Sequence, residues 1–171
     1  MITEYDKYPE AIKQFEILNS LEIHIGVLHD KHLQMIAIVN NDGATIKAKN
    51  VPYLMVPTLS KDGQKGYVRL KEVHIPSRQF LERTMVRNKG HWRSYAREQT
   101  MKVLAGDLKA RPALDYLGHL ATEQMKDVIT KWTRPHPNAP LTINNKGFND
   151  PLIDTGALRD SITYEVVPKA M

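Results

Sequence analysis

Apolar residues recur at two periods along this chain, and the switch between periods marks the predicted helices and strands. The clearest helical pattern covers residues 111–132, where apolar side chains step by three or four positions and share one helix face. They are Leu114, Leu117, Ala121, Met125, Val128 and Trp132. A second helical pattern covers residues 9–20, with Pro9 at a position suited to the first turn. The spacing predicts a helix over each range.

Strict alternation of apolar and polar residues predicts strands. The predicted strands cover residues 21–28, 45–49, 51–57, 67–75 and 162–167. Residues 31–39 fit either a helix or a strand. We favour a short helix that ends before the turn-forming sequence Asn40-Asn41-Asp42-Gly43.

The middle of the chain carries two more helical patterns. Ser77 can cap a helix that runs to about residue 86, and Asn88-Lys89-Gly90 is expected to break it before a second helix over 91–108. Two polar stretches, 58–66 and 133–150, show no period and contain several glycines and prolines. We expect both to be mobile loops that become ordered on assembly.

Composition narrows the class of protein without naming a function. A length of 171 residues with 42% hydrophobic content is ordinary for one globular domain with a real core. The chain has no cysteine, which excludes disulfides and thiolate metal sites. It has no run of 18 apolar residues and no signal-peptide pattern at its start, so we expect no membrane association and an origin in the cytoplasm.

The formal net charge is +5, and it is unevenly distributed. Residues 1–30 contain six acidic and two basic residues, whereas residues 69–111 contain eleven basic and four acidic ones. Such asymmetry indicates either a site for a polyanion or complementary faces between subunits. Tyr67, Phe80, Trp92 and Tyr95 lie in or beside the basic stretch, so non-sequence-specific nucleic-acid binding is one hypothesis. The other interpretation is that the aromatic residues lie in the core and that the arginines are solvated or pair across a subunit boundary.

Catalytic and metal-binding patterns are weak. His29 and His32 have a spacing that could hold a metal on a helix, but no third ligand follows at a telling distance, so surface histidines are the favoured interpretation. Ser161 lacks the Gly-x-Ser-x-Gly elbow of an exposed nucleophile. We therefore expect no enzyme activity, no catalytic residue, no metal and no cofactor.

The stretch from Pro151 to Val167 combines a turn, one helical turn and a closing strand. Asp154 or Thr155 can cap the helical turn over residues 155–161, and Gly156 permits close approach of another backbone. A strand in this place usually completes a sheet that began much earlier in the chain.

Three stretches, in order, resemble the tail-completion or head–tail joining proteins of the necks of long-tailed bacteriophages. Residues 152–162, Leu-Ile-Asp-Thr-Gly-Ala-Leu-Arg-Asp-Ser-Ile, resemble the family signature Leu-x-Asp/Arg-Thr-Gly-x-Leu-x-x-Ser-Ile. Residues 75–81, Ile-Pro-Ser-Arg-Gln-Phe-Leu, resemble its Ile-Pro-x-Arg-Pro-Phe-Leu turn, with Gln79 in place of the second proline. Residues 36–44 resemble its Ile-Ala-x-x-Asn-Glu-Phe-Gly-Thr segment, with Asn41, Asp42 and Ala44 as departures.

This resemblance implies an α+β single domain over residues 1–171. It has a mainly antiparallel sheet from the N-terminal half plus the C-terminal strand, packed by two long helices. It also implies a structural virion protein, made in the host bacterial cytoplasm, that forms a ring at the head-proximal end of the tail. The implied partners are further copies of the chain, the tail tube or tail terminator, and a head-completion protein; non-specific contact with genomic DNA in the lumen is left open. The implied turn-shaping residues are Arg78, Phe80, Asp154, Thr155, Gly156, Leu158 and Ser161.

A closed ring needs two different, complementary patches on each subunit. The acidic stretch 1–30 and the basic stretch 69–111 are the predicted pair, with Arg93 and Arg97 at the subunit interface. The expected number of six subunits comes from the family resemblance and from the sixfold symmetry of tails.

Overall fold

The computed structural model of the chain describes residues 8–60 and 63–170. Its helices are α1 (Tyr8–Ser20), α2 (Lys31–Asp42), α3 (Phe80–Ala105), α4 (Ala110–Thr130), α5 (Pro140–Lys146) and α6 (Ala157–Asp160). Its strands are β1 (Leu21–Val27), β2 (Ala44–Lys47), β3 (Leu54–Leu59), β4 (Lys65–Leu70), β5 (Glu72–Ile75) and β6 (Ile162–Pro168). The predicted α+β single domain, with antiparallel pairing and two long helices, is confirmed.

The last strand returns to the first. β6 pairs antiparallel with β1, in a register that runs from Leu21 opposite Pro168 to Val27 opposite Ile162. α4 packs against this pair and against α3, so α4 lies between the β1–β6 ladder and α3. At the tightest point, Gly118 of α4 lies beneath the ring of Tyr164 on β6. The core is formed by Val27, Ala37, Phe80, Met125, Val128, Ile129, Trp132, Leu152, Leu158 and Ile162.

The remaining strands form two separate ladders rather than additions to the same sheet. β2 pairs with β5, and β3 pairs with β4, both antiparallel. The predicted strand over 67–75 is divided at Lys71 into β4 and β5, which belong to different ladders. The predicted strand over 51–57 begins only at Leu54. Each ladder therefore keeps open edges, which bear on the site described below.

The predicted break at Asn88-Lys89-Gly90 is wrong, because α3 runs without interruption through these residues. The Nδ2 of Asn88 donates to the Thr84 carbonyl one turn earlier, so this amide bonds within the helix and does not divert the backbone. α3 packs against α4 and α1, and this packing stabilises the continuous helix. One interior glycine, which costs a helix about 1 kcal/mol, is outweighed by that packing.

α2 is longer than predicted and includes most of the expected turn. Asp30 caps its start, where Oδ1 accepts from the backbone N–H groups of His32 at 2.9 Å and Leu33 at 3.0 Å. Gly43 ends it with φ 78°, and its N–H donates to the Val39 carbonyl at 3.0 Å. A Cβ at Gly43 would lie 2.7 Å from the backbone nitrogen of Ser77, so close approach also requires glycine here.

The two predicted loops contain more regular structure than their composition indicates. Within 133–150, α5 begins at Pro140 and ends at Lys146. Gly147 follows it, and its φ of 78° is typical of the residue after a helix. Within 58–66, β3 continues to Leu59 and β4 starts at Lys65. Among the described residues of this range, Ser60, Gly63 and Gln64 lie between the two strands, and residues 61 and 62 lie outside the described residues.

Candidate functional site

The three stretches that were singled out in the sequence meet in space. We call this place the motif junction: Asn40 and Asn41 at the end of α2, Arg78 before α3, Lys146 at the end of α5, and residues 152–161. Arg78 lies at its centre and is only 6% exposed. It bridges the first two stretches, since its backbone N–H donates to the Asn40 carbonyl and its Nη1 to Asn40 Oδ1, both at 2.9 Å. Its Nε donates to the His136 carbonyl at 3.3 Å.

Asn41 is a second hub of the junction and is almost fully buried. Its carbonyl accepts from the Ser77 hydroxyl at 2.7 Å and from the Gln79 N–H at 2.9 Å. Its side-chain Oδ1 accepts from the Leu81 N–H at 3.0 Å. The end of α2 and the start of α3 are therefore joined by hydrogen bonds that satisfy backbone groups at both helix ends.

Gln79 marks a real difference from the motif it resembles. Its φ of 38° and ψ of 42° are left-handed, a region that a non-glycine residue rarely adopts. Proline is held at a φ of about −65° and has no N–H, so it could neither adopt this conformation nor donate to Asn41. The backbone here needs a residue other than proline.

Lys146 attaches the closing stretch to the junction. Its Nζ donates to the Asp150 carbonyl at 2.9 Å and to the Ile153 carbonyl, and it lies 4.7 Å from the ring centre of Phe148. Burial lowers the pKa of Lys146, and the nearby carboxylates of Asp154 and Asp150 oppose that shift. The lysine therefore acts as a donor that fixes the irregular backbone before α6.

The closing stretch forms its predicted helical turn, with a different cap. Gly156 occupies the cap position of α6 at φ 89°, and Thr155 Oγ1 accepts from the Ala157 N–H at 3.3 Å. Asp154 does not cap α6; it is exposed and lines the cleft described below. The Ser161 hydroxyl donates to the Leu158 carbonyl at 2.8 Å, which closes the turn before β6.

Two of the predicted turn-shaping residues belong to the core. Phe80 is fully buried and Leu158 is buried, and both pack in the main apolar cluster. Their effect on the junction is to hold the starts of α3 and α6 against α4 and β6 by apolar packing. Phe80 is thus unavailable as an aromatic contact for nucleic acid.

A cleft of about 760 Å³ opens beside the junction. We call it the β5 cleft, because residues 72–76 form one wall and α5 and the β3–β4 hairpin form the other. Arg78, Lys146, Asp154 and Asn138 also line it. Asn138 is 7% exposed, and its Nδ2 has no hydrogen-bond partner among the described residues. The cleft thus contains a buried cation and a buried amide donor with unused hydrogen-bonding capacity.

Arg93 and Arg97 lie away from the junction, on the exposed side of α3. With Lys89 they step by four residues, so the three cations form one stripe along the helix. Within residues 8–60 and 63–170, none of the three takes part in an ion pair. Trp92 lies between Lys89 and Arg93 in the sequence and is half-buried. Its indole N–H donates to Gln124 of α4.

The acidic N-terminal stretch has several partners inside its own chain. α1 packs against α3 and α4, and Gln14 of α1 accepts from the Ala110 N–H at 2.8 Å. Glu22 pairs with His24 at 2.8 Å, and Asp30 is spent as the cap of α2. Glu4 and Asp6 lie outside the described residues. Only part of the predicted acidic patch is therefore available on the described surface.

His29 and His32, the pair considered as metal ligands, are not joined by a third ligand within the described residues. The His29 ring contacts Glu165 at 3.1 Å and both side chains of the pair are largely exposed. In the described part of the chain, no group of three or more metal-binding side chains converges. Across the same residues, no helix combines the length and apolar character needed to cross a bilayer.

Sequence reasoning missed Asn40, Lys146 and Asn138 as members of the site. Asn40 lay in a stretch interpreted as a turn, and Lys146 and Asn138 lay in a stretch interpreted as a loop. The available signal was Pro140 followed by Gly147, which fits a helix start and stop seven residues apart.

Comparison of the chain with protein-family models, curated proteins and solved structures finds no match.

Proposed function

We propose that this chain is a structural virion protein of a phage neck, which forms a ring at the head-proximal end of the tail. In that role it would complete the tail and join it to the capsid connector. The observation that carries the proposal is the motif junction. Stretches 36–44, 75–81 and 152–162 carry the resemblance to neck proteins, are distant in sequence, and meet around Arg78. Hydrogen bonds join the first two stretches, and the third lines clefts together with Asn40 and Arg78. Short chance matches would have no reason to converge in this way.

Exposed apolar side chains support a role in assembly. Met55 and Tyr67 of the β3–β4 hairpin are 53% and 67% exposed, and Val86 of α3 is 71% exposed. Further exposed examples on other elements are Ile12, Met35, Ile38, Ile46 and Met101. In a ring, contacts between copies would bury part of this apolar surface. Contacts of this kind would supply most of the cohesion of a ring, since exposed ion pairs each contribute about 0–1 kcal/mol.

The head-to-tail pairing of charged patches between subunits remains a prediction, and it now involves fewer residues than the two charged stretches. The basic partner is the stripe of Lys89, Arg93 and Arg97, which is exposed and has no ion pair among the described residues. The acidic partner on a neighbouring copy would include Glu10 and Glu16, which are exposed on α1. Charge would then set the register between copies, while apolar contacts hold them together.

The test is the location and stoichiometry of the chain in virions of the phage that encodes it. Antibody labelling should mark the neck, and cryo-EM of the neck should show one layer of six copies into which this fold fits. Crosslinking should join it to a tail tube, tail terminator or head-completion protein. Labelling of the capsid shell or tail tip, or a single copy per virion, would refute the proposal.

A second candidate, non-sequence-specific nucleic-acid binding, is favoured by the same unpaired stripe on α3. Cations spaced along one helix face fit a polyanion without base readout. Duplex DNA should then bind the free protein with an affinity that falls steeply between low and physiological salt. Fluorescence anisotropy with DNA of unrelated sequences measures this, and binding unaffected by Arg93→Glu with Arg97→Glu would exclude the stripe.

A further inference from the structure

We propose that the β5 cleft binds an extended segment of a partner protein, which adds a strand to the open edge of β5 and places its one carboxylate against Arg78. The cleft combines three features that a single occupant of this chemistry would satisfy. They are a buried cation without a counter-charge, a buried amide donor without an acceptor, and an unpaired strand edge.

The buried cation is Arg78. A guanidinium has five N–H donors, and the described structure gives partners to Nη1 and Nε only. Both partners are neutral oxygens, and no described carboxylate forms an ion pair with Arg78. Burial lowers the pKa of this guanidinium. Buried charges are normally paired, so the cleft side of Arg78 is a place for an anionic oxygen.

The second feature is Asn138. Its side chain is more than nine-tenths buried, lines the same cleft, and leaves Nδ2 without an acceptor in the described structure. An orphaned buried donor is costly to leave unpaired, so a native structure usually provides a partner for it. An oxygen of a bound segment would be that partner. Two residues with unused donors line the same cleft, and this favours a carboxylate or a peptide carbonyl as the ligand group.

The third feature is the edge of β5. β5 pairs with β2 on one side only, and no other described strand pairs with it. Residues 72–76 all line the cleft, together with Val56 and Leu70 of the hairpin. An open edge facing a cleft is suited to strand addition, in which main-chain hydrogen bonds provide affinity and side-chain pockets provide specificity.

The walls favour a protein segment over nucleic acid. Most of the lining is apolar, from residues such as Val73, Ile75 and Leu141, and would receive alternate apolar side chains of an added strand. Asp154 and Glu72 also line the cleft and are exposed, so they would repel a continuous phosphate backbone. One carboxylate aimed at Arg78 avoids that repulsion, and Lys47 neutralises Glu72 in part at 3.6 Å.

The test uses the full chain and three fluorescein-labelled peptides with the sequence Thr-Val-X-Val-Thr-Val, where X is Glu, Gln or Lys. Fluorescence anisotropy should show the Glu peptide binding about tenfold more tightly than the Gln peptide and more tightly still than the Lys peptide. A Glu peptide with N-methyl groups on its strand-pairing amides should bind weakly. Amide chemical shifts of residues 72–75 should move on addition of the Glu peptide.

Matched protein variants separate the cleft from general effects. Asn138→Ala removes the orphaned amide, and should weaken binding of the Glu peptide several-fold without loss of stability. Thr122→Val is the control, because Thr122 Oγ1 is also buried without a partner among the described residues but lies on α4 outside the cleft lining. It should leave peptide binding unchanged. Arg78→Gln should abolish the preference for Glu over Gln wherever the variant still folds.

Several results would overturn the proposal. Equal affinity for the three peptides, or no binding of the Glu peptide at about 1 mM, would exclude a carboxylate at this place. An equal loss of binding in Asn138→Ala and Thr122→Val would assign the effect to the fold rather than the cleft. Displacement of the Glu peptide by duplex DNA at equal charge concentration would make the cleft a nucleic-acid site.

Discussion

Two glycines inside the long helices should respond in opposite ways to the same substitution. Gly90 lies in the middle of α3, and no described atom lies within 4 Å of the place where a Cβ would be. Gly118 lies in α4, where a Cβ would be 2.7 Å from Cγ and Cε2 of Tyr164 and closer still to Cδ2. Because the chemical change to alanine is identical, the difference in effect reports tertiary packing alone.

For Gly90→Ala, the only effect that we expect is the difference in helix propensity between glycine and alanine. Alanine in a helix interior is more favourable than glycine by about 0.8–1.0 kcal/mol, mainly because it lowers the entropy of the unfolded chain. The free energy of unfolding should therefore rise by about 1 kcal/mol. For a chain of this length, that corresponds to an increase of about 2–4 °C in Tm.

For Gly118→Ala, the same gain is opposed by overpacking. Real Cβ atoms do not approach ring carbons this closely, so α4 or the tyrosine on β6 has to move. Overpacking of this kind typically costs about 1–3 kcal/mol. The free energy of unfolding should thus be unchanged or fall by up to about 2 kcal/mol.

The assay is urea denaturation, followed by far-UV circular dichroism, of the native chain and the two alanine variants. Tyr164→Ala alone and combined with Gly118→Ala completes a double-mutant cycle, in which the clash is absent. The cycle should give a coupling energy of about 1–3 kcal/mol. Equal stabilisation by both glycine substitutions, or a coupling energy near zero, would show that α4 and β6 do not approach as described. Destabilisation by Gly90→Ala would contradict a continuous α3.

Three further outcomes are expected. Phe80→Ala should lower the free energy of unfolding by about 3–5 kcal/mol, because the ring is fully buried in the main core, and a loss below 1 kcal/mol in denaturant titration would contradict that position. Arg93→Glu combined with Arg97→Glu should weaken assembly, while circular dichroism and Tm stay near native because both side chains are exposed. Normal rings from the double variant would contradict the charge argument. Hydrogen exchange should be fast in loops 58–66 and 133–150 of the free subunit and slow in the assembled state, with α5 the slowest part of the second loop, and equal protection in both states would count against ordering on assembly.

Much of the architecture could be predicted from periodicity. The apolar stripe over 111–132 predicted α4 to within about two residues of its end, and the alternation from residue 162 predicted β6. Both patterns are strong because each element buries one continuous face. The turn residues of 152–162 likewise indicated a helical turn before β6, where α6 is found.

The errors share a physical cause. The sequence Asn88-Lys89-Gly90 locally predicts the end of a helix. α3 continues through it because packing against α4 stabilises the helix. The sequence of Asn40 to Asp42 predicts a turn, but these residues form the end of α2. Residues 77–81, Arg78 among them, supply hydrogen-bond partners for that helix end. Local propensity takes no account of hydrogen-bond partners that lie 36 or more positions away along the chain.

The sequence by itself determined the class of fold, the helical and extended segments with one buried face, and the residues of the three motif stretches. Those features follow from periods of 3.6 and 2 and from turn chemistry, which act within a few residues. Only the tertiary structure decided that the stretches meet, that Arg78 is buried without a carboxylate among the described residues, and that β5 keeps an open edge beside it. Each of these depends on which distant backbone and side-chain groups satisfy one another when the chain packs, and that pairing has no local signature.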